Sequence, residues 1–406
     1  MYDDIAILAA FAFVYSIVAG RLERSPVSGA VVFVAFGLIC GPHGLEILKF
    51  EVDAEGLRTL AELTLALVLF ADAANADLRV LKRSLQIPER LLLIGLPLTI
   101  LLGIMFGVFL FPYLSFLEVA LLATILAPTD AALGKAVVAN PVVPARIREG
   151  LNVESGLNDG ICVPVLLVFL AFAGGSVVGE APIGIVLQEF ATEIGVGAGV
   201  GAICASGGVF LLRAAHMRGW IGETWMQIPI PAAALTCFAA AQSLGGSGFI
   251  AAFVGGLIGG ALIRKQKEQV LRAAEGLGDT LALLTWVAFA VAVASSAFSF
   301  LAWDAFVYAI LSLTVIRMLP VFLALAGMEL SVPDKLFLGW FGPRGLASIV
   351  FVVIVLNANL AGAETIAATV VWTIILSVLA HGLSANPLAA RYGGWAERTA
   401  SSVSTK

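Results

Sequence analysis

Along almost the whole chain, apolar runs of bilayer-spanning length alternate with short breaks rich in charge, proline or glycine. A transmembrane helix needs about 20 mostly apolar residues. Windows between the breaks predict thirteen such helices, at approximately 5–20, 28–47, 58–76, 91–112, 115–139, 150–173, 184–212, 228–244, 247–263, 279–299, 302–327, 335–357 and 364–385. The expected fold class is an all-α polytopic membrane protein that closes with a short tail over 386–406.

Basic residues test this map independently, because cationic residues of short loops stay on the cytoplasmic side. With the N-terminus outside, 18 of the 23 Lys and Arg residues fall on inner loops and the C-terminal tail. Two, Lys49 and Arg58, fall on outer loops, and Lys135, Arg317 and Arg344 lie within spans. A multi-pass protein of the cell (inner) membrane with a cytoplasmic C-terminus is expected. An odd number of spans suits two six-helix repeats of opposite orientation joined by one helix. Between the halves, the matching feature is the position of two interruptions. The fifth span is broken at Ala127-Pro128-Thr129-Asp130 and the twelfth at Gly342-Pro343-Arg344-Gly345. Proline removes a backbone donor and clashes with the preceding turn. Opened backbone at membrane depth is tolerated only where protein buries it or a cavity receives it, so paired broken helices point to a binding site.

Composition agrees with the pattern. Of the 406 residues, 60% are hydrophobic and 13% charged, against about 45–50% and 25% in soluble domains. The four cysteines sit in apolar stretches without metal-ligand spacing and read as small buried residues. A net charge of −5 gives no reason to expect a nucleic-acid partner, and Asp3 and Asp4 stand where a signal peptide would be basic.

Ionisable residues inside a membrane are costly and mark function by default. Asp130 follows the first break. Glu154 and Asp159 lie on the next span, in Glu154-Ser155-Gly156-Leu157-Asn158-Asp159-Gly160. Ser155 and Asp159 are four apart and share a helix face, as do Glu154 and Asn158. With the carbonyls freed near Thr129, the segment offers the mixed oxygen ligands that a hard monovalent cation requires. Ser155 and Asn158 alone would equally serve as polar glue between helices; a buried carboxylate such as Asp159 is harder to explain that way. Glu154 has two candidate partners, Arg317 and Arg344, with Arg317 favoured for a structural ion pair. Arg344, at the second break, is the candidate to compensate carbonyl ends and Asp130. Asp72 is an auxiliary candidate, in a cation-attracting funnel or at a solvated helix end. Lys135 is expected to snorkel to the interface. Glu62 and Glu118 are placed near interfaces, and His43, His216 and His381 are read as bystanders. Gly255, Gly256, Gly259 and Gly260 form small-residue faces suited to close helix packing, including packing between subunits.

These elements, with Arg317-Met318-Leu319-Pro320, resemble the NhaP branch of the cation:proton antiporters, which is related to the eukaryotic sodium/proton exchangers. The resemblance extends over nearly the whole chain. It implies a homodimer in which a core bundle, approximately 91–173 and 302–385, moves against dimerisation or scaffold helices, approximately 5–76 and 184–299. Asp159 would be the ion- and proton-carrying carboxylate, with Thr129, Asp130, Ser155 and Asn158 in the ion site and Glu154–Arg317 as the ion pair. Asn158 stands where electrogenic relatives carry a second Asp, which implies electroneutral exchange of one cation for one proton. The activity implied is Na+ (or Li+) for H+ antiport serving pH homeostasis, with K+/H+ antiport as the alternative. No cofactor is expected beyond the transported ions, and no enzymatic activity. An intramembrane aspartyl protease using Asp130 and Asp159 would leave the arginines and the second break unexplained. A cation channel would need a carbonyl filter motif, which the chain does not display.

Overall fold

In the computed structural model, the described residues are 2–22, 25, 27–42, 44–48, 54–75, 86–130, 133, 135–138, 140–174, 183–222, 224–263, 267–294 and 302–404. Among them the regular structure is helical. The helices are α1 (Tyr2–Leu22), α2 (Gly29–Cys40), α3 (Ala54–Asn75), α4 (Gln86–Leu110, with a π-turn at Leu91–Gly95), α5 (Phe116–Ile125), α6 (Lys135–Val138), α7 (Ala145–Ala173) and α8 (Ile183–Met217). They continue as α9 (Pro229–Ser243), α10 (Gly248–Leu262), α11 (Lys267–Phe289), α12 (Trp303–Leu313), α13 (Val315–Ala324), α14 (Val332–Trp340), α15 (Leu346–Leu356) and α16 (Ala363–Ser404). Seven stretches among the described residues are long and apolar enough to cross a bilayer, and α2, α5, α10 and α15 are shorter apolar helices. Every expected span falls on one of these helices or on a helix pair. The fifth and twelfth resolve into α5 and α6, and α14 and α15, on either side of the anticipated breaks.

The chain forms two compact units. One comprises Met1–Leu57, Ser84–Asn158 and Leu283–Lys406, the other Arg58–Arg83 and Asp159–Ala282. In the first, a cluster of Ile87, Leu91, Ile147, Leu151, Val321, Phe337 and Tyr392 packs α4, α7, α13, α14 and α16 together. In the second, α10 packs against α8 and α9.

The glycines of α10 face neighbours in the same chain, which corrects the expectation of a face between subunits. A Cβ at Gly256 would run into the carbonyl of Phe70, and one at Gly260 into that of Ala74, both on α3. Gly201 of α8 is packed equally tightly on Ala251. Small residues let backbones approach, but a spacing motif does not say which backbone. Residues 386–404, most of the expected short tail, continue α16 as helix through Pro387. Hydropathy marks the end of a span, and helix formation does not need to stop there.

Candidate functional site

Both interrupted helices start the same way. Ser115 caps α5 and Glu118 returns a carboxylate to the Ser115 amide, while Ser331 and Asp334 do the same for α14. Such reciprocal capping satisfies two of the amide donors that a helix N-terminus leaves open. Glu118, expected near an interface, is buried and also accepts the Gly362 amide at 2.6 Å. Each helix then ends three residues before a proline, Pro128 or Pro343.

The two breaks meet. The Asp130 amide donates to the Pro343 carbonyl at 2.8 Å. The Asp130 carboxylate accepts the Leu346 amide at 2.9 Å and the Leu133 amide at 3.3 Å. It therefore sits on the N-terminus of α15, where the helix dipole presents partial positive charge. Arg344 is fully buried and its guanidinium donates to the carbonyls of Gly342 at 3.0 Å and Pro128 at 3.2 Å, with Ser312 at 3.5 Å. Ser348 completes the exchange by donating to the Ile125 carbonyl, at the end of α5, at 2.8 Å. Two glycines make the approach feasible. A side chain at Gly345 would occupy the Asp130 carboxylate, and one at Gly342 would strike the Arg317 guanidinium.

Arg317, and not Arg344, is the partner of Glu154. The pair is bidentate, at 2.5 and 2.8 Å, with both residues buried. Beside it, Thr129 of the first break meets Ser155 and Asn158 of α7 in a polar cluster. The Thr129 hydroxyl is 2.9 Å from that of Ser155 and accepts from the Asn158 amide at 2.7 Å. All three are buried, and the Asn158 carbonyl oxygen has no hydrogen-bond partner among the described residues. Asp159, also buried, follows Asn158 on the same helix, four residues after Ser155. Asp72 lies half-buried near the end of α3, in the second unit. The Lys135 side chain and His43 lie outside the described residues. Glu62 pairs with Arg58 at 2.6 Å along α3.

His381, read from the sequence as a bystander, is buried at the second break. Its Nε2 is 2.9 Å from the Trp340 carbonyl, and its Nδ1 is 3.0 Å from the Ser377 carbonyl and 3.2 Å from the Ser377 hydroxyl. The signal that marks it is spacing. Ser377, His381 and Ser384 recur at i, i+4 and i+7 on one face of an apolar helix.

Two interrupted helices whose buried, charged breaks meet define a polytopic membrane protein of secondary-transporter architecture. The chain belongs to the sodium/hydrogen exchanger transmembrane family, which it matches over residues 7–391. It is 24% identical over 380 residues to the K(+)/H(+) antiporter NhaP2 of Shewanella sp. strain MR-4, covering 93% of this chain and 64% of that protein. To the K(+)/H(+) antiporter NhaP of Alkalimonas amylolytica it is 22% identical over 388 residues, covering 95% of this chain and 65% of that one. The chain thus spans a little under two thirds of the length of these curated relatives. Its fold is similar to that of the sodium proton antiporter MjNhaP1 from Methanocaldococcus jannaschii at pH 8, with a TM-score of 0.77 at 23% identity over 96% of this chain and 99% of that one.

Proposed function

We propose that this chain is a secondary antiporter that exchanges a monovalent alkali cation for a proton by alternating access. The observation that carries the reading is the buried cluster that Thr129 of the first break forms with Ser155 and Asn158, with its orphaned Asn158 oxygen, on the helix that also bears Asp159. A buried acceptor without a donor is costly, and a cation would satisfy it as well as any hydrogen bond. Asp159 is the carrying carboxylate. It holds either the cation or a proton, and in both cases its charge is neutralised for the crossing. Thr129, Ser155 and Asn158 supply neutral oxygens. Asp130 acts mainly through its cap on α15, and the Glu154–Arg317 pair stiffens α7. Na+, or Li+, is the first cation to test. K+ is the second, since the curated relatives carry K(+)/H(+) in their names. Electroneutral one-to-one stoichiometry, a homodimer, and an inner-membrane location with the C-terminus in the cytoplasm belong to the same proposal. The last of these rests on the distribution of Lys and Arg. Apolar side chains such as Phe13 and Ile17 on α1 and Ile203 and Phe210 on α8 are exposed, as lipid or a second copy would require.

The test is exchange in proteoliposomes with an internal pH dye, challenged by each alkali cation with and without a clamped membrane potential. Cation-dependent proton movement that ignores the clamp is expected, and Asp159→Asn should abolish it while the protein stays folded. Full exchange by that variant would refute the assignment of Asp159. Cation flux uncoupled from protons would refute antiport itself.

A further inference from the structure

The second break is held from one side by a polar stripe on α16 to which the mechanism above gives no role. Trp340 ends α14, so its carbonyl is one of the helix-end acceptors left without an intrahelical donor. It accepts from the Gly342 amide at 2.8 Å and faces His381 Nε2 at 2.9 Å. A carbonyl can only accept, so a hydrogen on Nε2 makes this a hydrogen bond between α16 and the end of α14. Nδ1 lies 3.0 Å from the Ser377 carbonyl, on its own helix, and 3.2 Å from the Ser377 hydroxyl, and with the hydrogen on Nε2 it accepts from that hydroxyl. The same Ser377 oxygen accepts the Arg344 amide at 2.7 Å. Ser384 accepts from the Trp340 indole at 3.0 Å, and the indole lies against the imidazole with ring centroids 5.1 Å apart.

We propose that His381 is a positioning residue for the ion site, fixing the second break at the carbonyl before it and, through Ser377, at the amide inside it. This rests on the antiport reading given above. From the bracket the geometry runs without interruption to the site. Arg344, held by its amide, places its guanidinium on the Pro128 carbonyl, and Pro128 immediately precedes Thr129. Thr129 holds Ser155 and Asn158. The imidazole is used here for its two opposed nitrogens, one reaching α14 and the other its own helix.

That geometry separates two substitutions. His381→Gln keeps a donor long enough to reach the Trp340 carbonyl, whereas His381→Asn keeps only the shorter contact with Ser377. The apparent cation KM of the Gln variant should stay within about twofold of the parent, and that of the Asn variant should rise about tenfold, the worth of one buried hydrogen bond, with maximal rate changing less. A folded Asn variant matching the parent, or a Gln variant failing as badly as Asn, would overturn the proposal. A second measurement does not depend on transport. In nanodiscs, a His43→Ala/His216→Ala background labelled with 15N-histidine has one imidazole, which should report the hydrogen on Nε2. A ring carrying it on Nδ1 alone would overturn the bracket. Should the parent exchange no cation at all, the antiport reading fails while the tautomer measurement still decides the bracket.

Discussion

The two broken helices share a plan and differ in charge. Each begins with a serine–carboxylate capping box and each ends three residues before a proline. The first break carries an acid, Asp130, and a hydroxyl, Thr129; the second carries a base, Arg344, between two glycines. The acid lies on the N-terminus of α15, and the base lies on carbonyls from both breaks. Half-helix ends carry roughly half an elementary charge of either sign, and lipid offers no water to neutralise it. Each interruption therefore supplies the counter-charge that the other's helix ends require. The difference also divides labour. The second break spends its polar groups on holding the crossing together, while the first presents Thr129 to the cluster on α7.

The sharpest way to break this comparison is to strand the buried charges on the second side. Arg344→Met leaves three carbonyls without their donor and removes the cation. A loss of about 3–5 kcal/mol is expected, as for one member of a buried pair, read as a large fall in melting temperature in detergent. Gly345→Ala should approach that severity, because its methyl group would sit where the Asp130 carboxylate lies. Glu154→Gln and Arg317→Ala should each cost about 3 kcal/mol, with the double variant well short of their sum. Unchanged melting for both single variants would defeat the ion-pair account. On the first side the expected losses are smaller. Asp130→Asn keeps an acceptor for the Leu346 amide and loses only the charge, so about 1 kcal/mol should go, and more in Asp130→Ala. If Asn and Ala behaved alike, the helix-capping role would be wrong.

The smallest effect belongs outside the crossing. Tyr113, in the turn before α5, donates to the Asp304 carboxylate. Partial burial, together with that carboxylate, pushes its phenol up to about 12. A raised value means that the protonated form is favoured in the folded state, so the contact is intact below about pH 10 and is lost as pH rises through about 12. Tyr113→Phe should lower the melting temperature by a degree or two at most and leave its pH profile between 6 and 9 unchanged, since exposed pairs contribute about 0–1 kcal/mol.

How far the sequence announced this arrangement follows from how each signal is encoded. Pro128 and Pro343 were legible because proline at membrane depth opens the backbone wherever it occurs. Glu154 announced a need for a cation, but two arginines were available, and only the third dimension separates them. Asp130 was legible as a carboxylate at membrane depth and not as a cap, because the amide it receives is 216 residues away. The contacts of His381 at the second break were not legible from a lone histidine, although Ser377 and Ser384 share its helix face. The glycines of α10 declared a close approach without declaring the neighbour.

α16 has 42 residues, so at 1.5 Å per residue it is about 63 Å long, roughly twice the thickness of the hydrocarbon it crosses. It carries the bracket at His381 and, beyond Pro387, continues as a rod anchored by Tyr392 against Phe337. Such a rod is a lever. A tilt of about 10° in its membrane half would swing an end about 30 Å away through about 5 Å. A spin label at exposed Glu397 would thus amplify, on the aqueous side, a movement too slight to follow at the crossing itself.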